Sequence, residues 1–252
     1  MYHLQSKKKS VNVLKVGIIG GTGRMGTGLA LRWVKNHDVF ISCRSSEHAR
    51  KTAEKLNDIA SGFYKKDKNF DIWGASIKET INRSEIVVVT IPPKATLPVM
   101  RDFSSVFRPN QIVVSTAVSM KRIEGIYRYT PLSEEVGSME MKSAAELTQE
   151  IVKQVHVVSA FQSVPAAYLS SLDEVLNVDV FVASNYDSAI SEVTKLICDI
   201  PNFRALKVGP LENSRLIESM IPLLLNAATL NGLQEPSIRI VPWIPTSYGT
   251  CQ

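Results

Sequence analysis

Three glycines, Gly21, Gly23 and Gly26, stand in the spacing G-x-G-x-x-G between the apolar run Val16-Gly17-Ile18-Ile19 and an apolar-periodic stretch. That spacing suits a dinucleotide. One glycine makes a tight turn, the next lets a pyrophosphate approach the backbone, and the third lets a helix pack on a strand. The N–H groups that open the helix then face the anion. A structural strand-to-helix turn is the plainer alternative; the position between strand and helix favours the site. A second constellation is Cys43-Arg44-Ser45-Ser46, with His48, Arg50 and Lys51 close behind. An NAD-preferring site carries Asp or Glu at this corner, bonded to the ribose hydroxyls. Here there is none. Arg44 can fork onto a 2′-phosphate and the serines can donate to it, so the corner predicts NADP over NAD, with a solvated surface arginine as the alternative.

The elements that must position these residues follow from apolar periodicity. A strand spans Lys15 to Ile19, a helix Met25 to Lys35, a strand Val39 to Cys43 and a helix Glu47 to Ala60. After a polar loop at 61–71 come a short strand (Ile72 to Ala75), a short helix (Lys78 to Asn82) and a buried strand (Ile86 to Ile91). A helix from Thr96 to Phe107 and a strand from Gln111 to Ser115 complete the series. This alternation predicts an α/β fold with a doubly wound, Rossmann-type parallel sheet. Residues 117–142 read as a loop with some helix. A helix (Ser143 to Gln154) and a strand (His156 to Ser159) follow, and a boundary falls near Ser163-Val164-Pro165-Ala166-Ala167. Beyond it lie a strand (Asp179 to Ala183), a helix (Ser188 to Ile200), a strand (Arg204 to Val208), a long helix ending at Leu230 and an edge strand at Ile238 to Val241. The expected division is a flexible tail at 1–13, an NADP-binding domain at 14–163 and a smaller C-terminal α+β domain at 164–252.

The 252 residues are 44% hydrophobic and 21% charged, which predicts a packed core. The net charge of +5 lies partly in Lys7-Lys8-Lys9, and the rest favours anionic ligands. No basic stripe interleaves with aromatics, so nucleic acid is not an expected partner. Cys43, Cys198 and Cys251 are far apart, which argues against a disulfide framework or a zinc site and for a reducing cytoplasm. No His/Cys/Asp/Glu cluster has ligand spacing, so no metal is expected. No apolar run reaches the length of a membrane span, and the basic N-terminus has no apolar segment of a secretory signal. His156 reads as a structural histidine, His37 as a cap, and Asn213-Ser214 as the N-cap of the long helix. Arg215 reads either as a partner of Glu212 or Glu218 or as a cleft residue. Apolar residues on more than one side of Ile217 to Leu230 predict a homodimer.

The chain resembles the NADPH-dependent coenzyme F-420 reductases (F-420:NADP oxidoreductases), which are mainly archaeal. The resemblance rests on Gly20-Gly21-Thr22-Gly23, Gly28 to Arg32, Val89-Thr90-Ile91-Pro92, Ile112 to Ser115, Ser143 to Glu146, and Val157 to Ala160 with Pro165-Ala166-Ala167. The most specific match is Gly209-Pro210-Leu211-Glu212-Asn213-Ser214-Arg215-Leu216-Ile217-Glu218-Ser219. The resemblance implies a Rossmann domain and a small C-terminal domain, with NADP and the deazaflavin coenzyme meeting in the cleft between them. Thr22, Gly23, Arg24, Met25, Cys43, Arg44 and His48 would hold NADP. Ile91, Ala95, Val118 and Ala166 would line the nicotinamide end. The family usually has Ser at Cys43, Lys at His48 and His at Gln162, and its 117–142 region is usually shorter. The implied reaction is hydride transfer between nicotinamide carbon 4 and deazaflavin carbon 5, in which the cofactors carry the chemistry. No protein acid or base is needed, and the long helix supplies Arg215 but no lysine. Arginine does not exchange a proton near neutral pH, so no catalytic residue is assigned. The alternatives are an NADP-dependent reductase of an imine, keto acid, flavin or ferric chelate on the same scaffold, and a non-catalytic NADP sensor.

Overall fold

Short β-branched runs set the sheet. In a computed structural model that describes residues 13–65, 70–132 and 141–241, strands β1 (Lys15–Ile19), β2 (Asp38–Ser42), β3 (Ile72–Ala75), β4 (Ile86–Val89) and β5 (Ile112–Ser115) run parallel. They are joined by α1 (Arg24–Trp33), α2 (Ser46–Tyr64), α3 (Ile77–Arg83) and α4 (Pro93–Asp102). After the short hairpin β6 (Met120–Ile123) and β7 (Ile126–Tyr129), α5 (Ala144–Ile151) leads into β8 (His156–Ser159), the sixth parallel strand. The strand order is β3-β2-β1-β4-β5-β8. This is the doubly wound order whose reversal, between β1 and β4, opens a crevice at the carboxyl ends of the strands.

Alternate residues of each strand feed two cores. Ile18, Val88 and Val158 join Leu29 and Trp33 of α1 and Leu56 of α2 on one side. Ile19, Val87, Val89, Val113 and Val157 meet Ile81 of α3, Met100 of α4 and Ala145 of α5 on the other. The continuous burial of β4 follows, since a strand covered on both faces has no solvated side.

The smaller C-terminal part holds α6 (Ala166–Leu169), β9 (Val178–Val182), α7 (Asp187–Cys198), β10 (Phe203–Lys207) and α8 (Ser214–Leu230). β9 and β10 pair parallel across α7. Their apolar residues build no separate core: Val178, Val180, Val193, Leu196 and Ile197 join the α1 side of the sheet. The Trp33 indole donates to Leu196 O at 3.0 Å, and Arg32 donates to the carbonyls of Leu169 and Ser171.

Four expectations change. Residues 120–129 form the antiparallel β6–β7 hairpin instead of loop and helix, closed by Glu124 and Gly125 at φ 50° and 83°. Ile238 to Val241 is no strand; it is an extended segment pinned to β9, with Asp179 N donating to Ile238 O and Ile240 N to the Asp179 carboxylate. Asp179 is fully buried and gripped by both ends of the Arg204 guanidinium, which accounts for the pinning. α4 starts at Pro93, earlier than expected, because proline's fixed φ suits the first helical position. Cys43 is a free thiol and Cys198 is disulfide-bonded, a bridge where the spacing argued for none. The basic tail at 1–12, loop residues 66–69 and Cys251 fall outside the described residues.

Candidate functional site

The glycine loop sits at the carboxyl end of β1, beside the reversal in strand order. Gly20 takes φ 90°, and the N–H groups of Gly20 and Gly21 both donate to Ser42 O, which fastens the loop to the end of β2. A Cβ on Gly21 would lie 2.5 Å from Ile41 Cβ; one on Gly26 would lie 2.5 Å from Gly20 O and 2.6 Å from Gly21 Cα. The turn and the close helix–strand approach therefore each need glycine, as the motif's physics requires. Two residues on, Gly28 meets Leu169 of α6, where a Cβ would approach to 2.3 Å. Gly23 is the extended N-cap of α1. No side chain caps that helix and no acidic residue occupies its first turn. An uncapped, carboxylate-free helix start is a ready anion site.

A cavity of about 440 Å³ opens over this loop, and Thr22, Gly23, Cys43, Arg44, Ile91 and Ala95 line it. Ser45 caps α2 by accepting from His48 N at 3.2 Å, which places His48 in that helix's first turn. Cys43 turns its thiol to Ser45 O at 3.1 Å, and Arg44 is exposed. Arg24 and Met25 open α1, and Gly21 lies buried beneath the loop. At the far end, Thr90 and Thr116 donate to the carbonyls of Ile19 and Val89 and close the strand ends. Pro92 borders this cavity and also a second one of about 350 Å³, where Val118 lies. Ala166 begins α6, outside both cavities.

Several site expectations resolve differently. Arg215 pairs with neither Glu212 nor Glu218; its guanidinium donates to both Glu146 oxygens, at 2.7 and 2.6 Å. Burial acts to raise the Glu146 carboxyl, but Arg215 and Ser143 outweigh it and hold it below the usual range. Glu146 is also half of a capping box with Ser143 at the start of α5. Asn213 does not cap α8 with its side chain; the amide donates to Val208 O instead. His37 is no cap but a buried link, 2.7 Å from Asp199 and accepting from Leu14 N. His156 stacks on Tyr186 with ring centroids 3.8 Å apart. Gln162 is buried and ties two strand ends together, donating to Ser115 O and Ser159 Oγ.

Sequence reasoning did not find the polar hub on the α8 side of the hairpin. Glu218 is fully buried, accepts from Ala144 N at 2.9 Å and faces the N–H groups of Ala145 and Ser119. Burial pushes its carboxyl up to about 8 against those donors. The Tyr129 hydroxyl is buried in the same hub, and burial raises it above its ordinary range. Among the described residues, no group of three or more His, Cys, Asp or Glu is placed to hold a metal ion.

A family model described as "NADP oxidoreductase coenzyme F420-dependent" matches residues 15–119, the stretch that builds the larger cavity. Relatives named F420-dependent NADP reductase, from Methanocaldococcus jannaschii and Methanothermobacter thermautotrophicus, are 33% and 32% identical to this chain. The alignments cover 90% and 91% of it and 98% and 96% of theirs. The chain belongs to the F420-dependent NADP reductase family. Among solved structures, one described as a putative F420-dependent NADP reductase from Arthrobacter sp. FB24 superposes with a TM-score of 0.68 at 17% identity. That match covers 90% of this chain and 99% of the other. A hypothetical protein from Sinorhizobium meliloti gives a TM-score of 0.59 at 18% identity, over 80% and 88%. At such identities these two speak for the fold alone, and that fold is the doubly wound sheet described above.

Proposed function

We propose that the protein transfers hydride directly between NADP(H) and the deazaflavin coenzyme F-420. The observation that carries this reading is the near full-length match to relatives of that name. The geometry supports it, because the uncapped start of α1, the glycine contacts and Arg44 fit a phosphorylated dinucleotide. The backbone N–H groups of Thr22, Arg24 and Met25 take the pyrophosphate, and Gly21 packs on Ile41 to set the loop there. Arg44, helped by the first turn of α2 at His48 and by Cys43, takes the 2′-phosphate. Ile91, Ala95 and Val118 pack the nicotinamide end and exclude water. The bound coenzymes supply the hydride donor and acceptor carbons. The chain's residues orient the two rings, and no side chain moves a proton.

In this reading residues 14–163 hold the nucleotide and residues from 164 onward close the cleft. Leu216, Leu223 and Leu230 are 68%, 68% and 70% exposed and recur every seventh residue, so they form one apolar stripe along α8. A second copy of the chain covers that stripe in a homodimer, and the cytoplasm is the compartment that fits the NADP pool. No helix among the described residues is long and apolar enough to cross a membrane.

The test is to mix the purified protein with NADPH and coenzyme F-420. The reading expects NADPH absorbance and the deazaflavin's visible band to fall together. Turnover of an imine, keto acid or free flavin with an unchanged deazaflavin band would replace it with the other NADP-dependent reductases.

A further inference from the structure

The second cavity has walls of a different kind from the first. It lies between the start of α4 and the base of the β6–β7 hairpin, and its lining is mainly apolar: Pro92, Pro93, Val118 and Met120. Lys94 of α4 and Lys121 of β6 both line it, and both are exposed. Neither lysine has an ion-pair partner among the described residues. Lys121 also sits directly across the ribbon from Arg128, so two like charges share one face of a two-stranded sheet. Such a pair destabilises a hairpin unless an anion lies between the charges. The neighbouring Arg122 is on the opposite face and is already engaged, stacked 5.4 Å from the Tyr127 ring and donating to Gly125 O. The hairpin is held firmly in place. Asn226 of α8 makes a pair of hydrogen bonds to the Tyr127 backbone, at 2.7 and 2.8 Å.

We propose that Lys94, Lys121 and Arg128 form a subsite for the phosphodiester and carboxylate tail of the second substrate, with its apolar ring toward Val118. This rests on the hydride-transfer reading above and adds to it. The subsite selects an acceptor that carries a flexible polyanionic appendage over the same ring without one. Arg44 lies in the other cavity, on the far side of Pro92, so the 2′-phosphate of the nucleotide is held separately.

The experiment compares intact coenzyme F-420 with its tail-less deazaflavin riboside as acceptors for NADPH, in the native protein, Lys94→Gln, Lys121→Gln and the double variant. The native protein is expected to have the lower KM for the intact coenzyme, and added salt should erase that advantage. Exposed charge pairs of this kind predict a rise of roughly three- to tenfold in KM for the intact coenzyme in the double variant. The KM for the riboside should change less than twofold. Equal KM values for both acceptors in the native protein, or equal rises in the variant, overturn the subsite and leave the hydride-transfer reading standing. A rise in the KM for NADPH instead assigns the lysines to the nucleotide's phosphates and also overturns it. Reduction of neither acceptor removes the hydride-transfer reading and the subsite together.

Discussion

Arg44 is the residue on which cofactor choice turns. It stands exposed at the end of β2, and no carboxylate in the Cys43–Ser46 corner competes for the ribose. Hydrogen bonds to a charged group contribute about 1.5–3 kcal/mol, so Arg44→Glu should raise the KM for NADPH by at least about tenfold. The KM for NADH should change little, and steady-state kinetics with both nucleotides would decide; an equal rise for both removes the 2′-phosphate argument. Glu218 makes a second residue-scale statement. Its carboxyl holds its proton more tightly in the folded protein, at about 8, than at its ordinary 4.5. Stability from this group is complete below the lower value and is lost as pH rises through the upper one. Linkage sets the slope between them at up to about 1.4 kcal/mol per pH unit. Urea unfolding across that window should show the decline in the native protein and a flatter profile in Glu218→Gln; matching profiles would refute it. The two residues differ in how visible they were beforehand. Arg44 announced itself by the company it keeps in sequence. Glu218 meets Ala144 and Ser119 only after α8 has folded back on α5, and its motif pointed to Arg215 as a partner instead.

Among the elements, those with strong local signals were legible and those closed by unusual turns were not. The glycine loop, β4 and the β-α alternation carry their own periodicity, so their order and rough bounds followed from spacing. The β6–β7 hairpin did not. Its strands are four residues each, rich in charge, and closed by Glu124-Gly125, where both residues need positive φ. Asn-Gly or Asp-Gly would have marked such a turn; Glu-Gly marks it weakly. What fixes the hairpin is Asn226, ninety-nine residues away from Tyr127 in the chain. Asn226→Ala should therefore loosen the ribbon while leaving the parallel sheet intact. Removing a pair of hydrogen bonds of ordinary strength predicts roughly ten- to hundredfold faster amide exchange at Tyr127, with Val88 and Val114 unaffected. Unchanged exchange at Tyr127 would show that packing on α8 alone holds the hairpin.

For the molecule as a whole, the exposed leucine stripe on α8 sets the expected assembly. Leu223→Glu puts a charge at its centre, between Leu216 and Leu230. Light scattering should report a monomer where the native protein is a dimer; a native monomer, or an undisturbed dimer in the variant, rejects the stripe as the contact. The sheet topology was readable at this scale, since strands alternating with helices admit few arrangements. The buried Asp179–Arg204 pair and the pinned segment at 238–241 were not, because each joins residues that only the finished fold brings together. The merging of the two halves around Trp33 has its own corollary. The indole of the first helix donates to a carbonyl of the penultimate one, so a shift in either helix is felt by the other. A designer wishing to graft a new acceptor pocket onto this nucleotide grip has to carry that contact across with the graft.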